Sequence, residues 1–336
     1  MSFNRLSPED FVVSSDSVTT PLWTAGSPTL TIFYSSSVQE AGSSGDFYLN
    51  IYQTASVNAA AEVQFAIAYG DLLGSGSSWY NAGVPGASST RTTYGQYRNL
   101  ILGDENSNFI FGGVTASNFW VISVDRNRYK ESLLPGTMTL VLSSSAAGQK
   151  PLSLTDDSLV TPSIIFNDAG RIFQLVSGSA GSVNYSSSNG YSPTQGSYGW
   201  FLPDIGTLLI NPNAVSESIG LVASRSSNSD GLNYRTLLDA MNRGGKFTAN
   251  SQETISSDFI FVRARNAEFN YSENPSFISG STGEVVYNSF INNPQTFPTT
   301  IGLYNDNNEL LAVAKLSRPL LKDFTKEALI RLKLDF

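Results

Sequence analysis

Two pairs of adjacent carboxylates, Asp104/Glu105 and Asp156/Asp157, are the residues in this chain that come closest to an enzymatic pattern. Glycoside hydrolysis needs two carboxyl groups flanking the scissile bond, one as acid and the other as base or nucleophile. Direct neighbours on a strand point to opposite faces, and neighbours in a turn are solvated, so both pairs are expected in surface loops. Asp306 with Asn308 supplies half of a calcium loop but lacks its glycine and distant glutamate, and a polar hairpin turn explains the run. No metal and no cofactor are expected.

The absence of histidine and cysteine narrows the chemistry further. Imidazole bases, thiolate nucleophiles, disulfides and Cys/His zinc sites all require residues that are missing. Neither phosphate-binding glycine pattern occurs. Gly244-Gly245-Lys246 is followed by Phe247 and reads as a helix stop before a strand. There is no G-x-S-x-G elbow, and no spacing reveals a lysine or carboxylate that would activate a serine. The expectation is a protein that is not an enzyme and takes no small-molecule substrate.

Cations and exposed aromatics are the remaining candidates, for contact rather than catalysis. Arg126, Arg128 and Lys130 surround Tyr129 in the densest basic cluster, and Arg331 and Lys333 alternate along a terminal strand, as do Arg263 and Arg265. Charges in this pattern solvate a strand face, blunt an edge, or pair with carboxylates of a neighbouring chain. Tyr185, Tyr191 and Tyr198 lie in a Ser/Gly-rich stretch, residues 177–199, too long for ordinary hairpin closure. The candidate interface is therefore Arg126, Arg128, Tyr129, Lys130, Tyr185, Tyr191, Tyr198, Arg331 and Lys333. A carbohydrate-binding alternative would use Trp79, Tyr80, Trp120 or Trp200 as stacking platforms.

Short alternating runs dominate the elements that must position these residues. Phe47, Leu49 and Ile51 alternate with polar or aromatic neighbours, as do Val63, Phe65, Ile67 and Tyr69, with the period of two that puts one set on a buried face. Residues 100–102 and 109–111 flank a turn-rich loop and read as a hairpin. Further strands are expected at 119–124, 137–142, 164–166, 171–176, 258–265, 301–304 and 309–316. Ala328, Ile330, Leu332, Leu334 and Phe336 alternate to the last residue. One helix is expected, where Tyr234, Leu237, Leu238 and Met241 follow helical spacing and Gly244-Gly245 stops it.

The fold expected is all-β or β-dominated, with antiparallel sandwich-type domains, one short helix and an extended N-terminal arm. Its divisions are an arm over residues 1–28, a β domain over 29–150 and a second β-rich region over 151–336, with a terminal strand module at 299–336. The arm carries Pro8, Pro21 and Pro28 and little periodicity. Small residues at 143–151 suggest a linker.

Composition bounds the partners. With 20 basic and 28 acidic residues the net charge is -8, which opposes general nucleic-acid binding. Charged residues are only 14%, so solubility rests on hydroxyls and amides. No apolar run approaches a membrane span, and residues 1–20 lack a secretion signal, so a soluble chain made in a cytoplasm is expected.

The segment TTIGLYNDNNELLAVAKLSRPLLKDFTKEALIRLKLDF, residues 299–336, resembles the terminal module of tail proteins from contractile-tailed bacteriophages, especially virion proteins of marine cyanobacterial phages. FVRARNAEFNYSENPSF, residues 261–277, is similar to the same proteins. Across residues 65–138, an apolar strand ending in AYGD, a Gly/Ser/Trp loop, an aromatic middle and VDRNRYKE resemble the layout of a baseplate wedge subunit. The resemblance implies a β protein packed in a sixfold baseplate, partnered by other tail or baseplate proteins and possible further copies of itself, with no catalytic residues to carry over. It implies localisation in the virion after assembly in the host cytoplasm. A neck or capsid-surface position is the alternative within the same class.

Overall fold

The computed structural model describes residues 4–24, 26–36, 48–76, 88–146, 148–161, 164–184, 194–225 and 232–335. Strands dominate and all the described pairings are antiparallel. The chain forms two compact units, one of residues 18–253 and one of residues 1–17 with 254–336.

This division differs from the boundary expected at 150/151. Thr139–Leu142 and Leu152–Asp156 are adjacent strands of one sheet, with Leu140 opposite Leu154. Residues 143–151 therefore connect paired strands, and their small side chains serve a turn rather than a linker. The N-terminal arm is likewise part of the fold. Phe11–Pro21 is a strand of the sheet that also holds Asn250–Ala264 and Ala328–Asp335, and Leu22 and Trp23 are buried just beyond it. Trp23 donates its indole N–H to the Phe247 carbonyl at 3.1 Å and packs against the Phe247 and Phe65 rings.

The larger unit is built on a thirteen-stranded sheet. Its middle is buried on both sides, so the strands there are apolar almost throughout: Asn118–Val124 sends Trp120, Ile122 and Val124 into one core and Phe119 and Val121 into the other. Val63–Asp71 lies beside it with Ile67 opposite Ile122 and Tyr69 opposite Trp120. Two helices, Pro212–Ile219 and Asn233–Gly244, bury Ala214, Val215, Tyr234, Leu237 and Met241 in the first core. The second core is filled from Ser89–Leu102 and the short hairpin Phe109–Phe111/Val114–Ala116.

The helix over residues 233–244 is the one its spacing announces, and Gly245 ends it at φ 64°, where only glycine is unstrained. Gly244 lets the helix approach the neighbouring strand, because a Cβ there would sit 1.9 Å from the Val141 carbonyl oxygen. The expected strand at 100–102 is instead the last turn of Ser89–Leu102, which buries Thr90, Tyr94 and Ile101 on one stripe. Its threonines and Gly95 disguise the helical period. Pro212–Ile219 starts at Asn211, whose side chain accepts the Asn213 N–H at 3.1 Å, and stops at Gly220.

In the smaller unit, residues 257–264 of the strand Asn250–Ala264 pair with Ala328–Asp335 so that Ile260 opposes Leu332 and Val262 opposes Ile330. That is the face the terminal alternation assigns to burial. Thr300–Tyr304 and Leu310–Lys315 form a separate two-stranded hairpin, and Gln295–Thr296 pairs with Lys322–Asp323. Lys322 is almost fully buried, and its ammonium donates to Asn266 O, Asn270 Oδ1 and Asp323 O at 2.9–3.0 Å. All three of its donors are thereby satisfied.

Candidate assembly surface

The two carboxylate pairs sit in unlike surroundings. Asp104 lies in an exposed turn, where the Ser107 hydroxyl and the Asn106 N–H hold its carboxyl below the usual range. Asp156 and Asp157 are buried, contrary to the surface loop expected of them. Asp156 accepts the Gly136 N–H at 2.8 Å and also binds Ser158, while Asp157 accepts from Gln174 N and Thr161 Oγ1 at 2.9 and 2.7 Å. Burial pushes the Asp156 carboxyl up, against the pull of these donors. Both act as turn anchors, closing backbone N–H groups that would otherwise be orphaned. Among the described residues no group of three or more acidic side chains is placed to hold a metal. Asn308 sits at φ 62° in the 305–308 turn, with its N–H on the Asn305 carbonyl.

The first basic cluster is mostly spent within its own unit. Arg126 donates to the Tyr129 carbonyl at 2.6 Å and lies 4.6 Å from the centroid of the Tyr129 ring, which is itself buried. Arg128 pairs with Glu62 at 2.7 Å and bonds Thr24. Lys130 is exposed, as is Arg126, and has a long contact to Glu253 at 3.5 Å. Tyr198 is wholly buried, its hydroxyl 2.7 Å from Ser218, so it belongs to the core and not to an interface. Tyr185 and Tyr191 lie outside the described residues.

Of the proposed sugar platforms, Trp120 is fully buried with its N–H on the Asn233 carbonyl. Trp200 is packed among Phe109 and Phe111. Neither ring can stack on a ligand from solvent. Trp79 and Tyr80 lie outside the described residues.

Arg331 and Lys333 fare differently. Both are exposed on the terminal strand, on the face opposite Ile330 and Leu332, with Lys333 beside Phe259 and Arg331 beside Phe261 across the pair. Their cations lie 5.5 and 6.0 Å from the Phe259 ring centroid, and Lys333 also meets Asp335 at 2.9 Å. The Ser257 hydroxyl and Lys333 hold the Asp335 carboxyl below the ordinary range.

The surface around them has a feature the residue types did not announce. Neither hydrophobic core contains any residue of the smaller unit, where the buried apolar side chains among those described are Ile260, Phe277 and Leu332. Most of its other large apolar residues are only half-buried, and several are open to solvent. Leu311 is 68% exposed, Val313 58% and Leu310 52%, and Phe297, Phe324 and Leu329 are also open to solvent. Scattered apolar exposure is ordinary, but a hairpin with three adjacent open aliphatics is not. The signal was present in LLAVAK. Both parities of that strand are apolar, yet a two-stranded hairpin has only one face to bury.

No protein-family model, no curated protein and no solved structure matches the chain.

Proposed function

We propose that this chain is a non-enzymatic structural subunit of a contractile phage tail, a baseplate wedge component that joins neighbouring virion proteins through the smaller of its two units. The observation that carries the reading is the imbalance in that unit, where, among the described residues, three buried apolar side chains accompany an open array that includes Leu310, Leu311, Val313 and Leu329. A unit of this kind has little hydrophobic stabilisation of its own and gains it when a neighbour removes that surface from water. The exposed hairpin and terminal strand lie in residues 299–336, the segment that resembles phage tail proteins. A weakly charged surface further reduces the cost of desolvating a broad contact.

The test is cross-linking mass spectrometry on particles purified from the source virus. The chain should occur in fixed ratio with other tail proteins, with lysine cross-links from Lys315, Lys326 or Lys333 to a neighbour. Its absence from particles, or turnover of a polysaccharide by the purified chain, would overturn the reading.

A further inference from the structure

We infer that Lys322 and Asn270 are the two halves of an intramolecular isopeptide bond, formed when the lysine amine displaces ammonia from the asparagine side-chain amide. The site lies within the smaller unit and stands independently of the assembly role proposed above.

Lys322 is 1% exposed. Lysine is rarely buried so completely without a carboxylate, because an ammonium out of water is costly unless paired. Yet Lys322 joins no ion pair among the described residues. Its Nζ meets three neutral oxygens, Asn270 Oδ1 at 2.9 Å, the Asn266 carbonyl at 2.9 Å and the Asp323 carbonyl at 3.0 Å. The Asp323 carboxylate is engaged by Thr325 and Lys326 instead. Hydrogen bonds solvate this buried charge, and no counter-charge balances it.

The amide beside it has a fixed orientation. Asn270 Nδ2 donates to the Asn266 carbonyl at 2.7 Å. An ammonium only donates and a carbonyl only accepts, so the amide oxygen faces Nζ and the amide nitrogen faces Asn266. The electrophilic Cγ is one C=O bond, about 1.23 Å, beyond the oxygen that Nζ already touches. Backbone contacts bring the two residues together. Lys322 pairs with Thr296, whose hydroxyl bonds the Phe269 carbonyl. Phe269 is held at φ 54°, a left-handed conformation that is costly for a residue other than glycine, and it directly precedes Asn270.

The step balances without a co-reactant. Nζ bonds to Cγ, and the Cγ–Nδ2 bond breaks with its electron pair leaving on nitrogen. Of the three ammonium protons, one remains as the new amide N–H and two pass to the departing nitrogen, which leaves as ammonium ion. The positive charge leaves the interior with it, and a neutral amide replaces a buried cation. The bond closes the chain between residues 270 and 322, in a unit with three buried apolar side chains among its described residues and in a protein with no cysteine for a disulfide. A covalent closure restricts the unfolded chain and so supplies stability that a small core lacks.

The experiment is mass spectrometry of the purified full chain, sampled from folded stock until the mass is constant. Wild type should weigh about 17 Da less than its sequence, the mass of one ammonia. Trypsin should leave residues 266–315 joined to residues 316–326, with Lys322 uncut, and fragmentation should place the link at Asn270 and Lys322. Lys322→Arg and Asn270→Ala should each show the full mass and no joined peptide. Wild type at its full sequence mass overturns the inference. The same loss in Lys322→Arg also overturns it, because an asparagine that cyclises onto its own backbone releases ammonia without needing the lysine.

Discussion

Arg225 donates its Nε–H to the carboxylate of Asp71 at 2.8 Å, and Asp71 has no exposure to solvent. The same carboxylate accepts the N–H groups of Leu73 and Ser75 at 2.9 and 3.1 Å. One buried charge thus fixes both the turn after Val63–Asp71 and the segment near residue 225. Asp71→Asn leaves the guanidinium without its counter-charge and should cost roughly 2 to 3 kcal/mol. That is below the ~3–5 of a fully buried pair, because Arg225 is 41% exposed and water screens it. Arg225→Ala should cost less, since the two backbone donors remain. Urea unfolding of the two variants measures both values.

Tyr69 shares that end of the strand. Its hydroxyl accepts from Asn118 Nδ2 at 2.8 Å, and burial pushes its pKa up to about 12. The neutral phenol is thus favoured in the folded state. Its contribution to stability is complete below the unfolded value near 10 and is lost as the pH rises through about 12. Tyr69→Phe should remove this part of the alkaline slope, seen by comparing unfolding free energies between pH 9 and 12.

Asp156 gives an acid-side counterpart with the same sign. Burial raises its carboxyl above the ordinary 3.8, so the folded state holds the proton more tightly than the unfolded one. Stabilisation from this group is complete below the unfolded value and declines as the pH rises through the folded one. The difference in stability between wild type and Asp156→Asn should therefore shift against wild type from pH 3 to pH 7. An unchanged difference would show that the donors from Gly136 and Ser158 offset the burial.

Trp23 tests whether the N-terminal residues belong to the fold. Replacing it by alanine removes its contacts with Phe65 and Phe247 and the bond to the Phe247 carbonyl, and should cost roughly 3 to 5 kcal/mol. Deleting residues 1–28 should therefore unfold much of the larger unit. A deletant with native thermal stability would return these residues to the status of a detachable arm.

Strand alternation made much of the fold legible in the sequence. The sets Phe65/Ile67/Tyr69 and Ile330/Leu332/Leu334 fall on the faces their period assigns, and the helix at 233–244 carried both an apolar stripe and a glycine stop. The helix at 89–102 was hidden because its buried stripe runs through Thr90 and Tyr94 beside threonines and Gly95, which favour other conformations in isolation. Asn211-Pro212 and Gly220 did mark a helix between them, by capping chemistry rather than by hydropathy.

The candidate surface was legible only in part. Arg331 and Lys333 stand exposed as their alternation suggested, while Arg126 is engaged by Tyr129 three residues on and Arg128 by Glu62, a partner too remote in sequence for local charge density to reveal. Tyr198 looked like loop because glycine and serine surround it, yet its ring fills the main core. Leu311 and Val313 are apolar residues whose expected place was a core, and their exposure became visible only once the hairpin was seen to pair with no other strand among the described residues.

Hydrogen–deuterium exchange of the chain, free and in assembled particles, tests the central claim most directly. Amides of residues 300–315 and 328–335 should exchange quickly in the free chain and become strongly protected in the particle, while those of the strand at 118–124 stay slow in both. Equal exchange of residues 300–315 in the two states would contradict an account in which this surface exists to be covered.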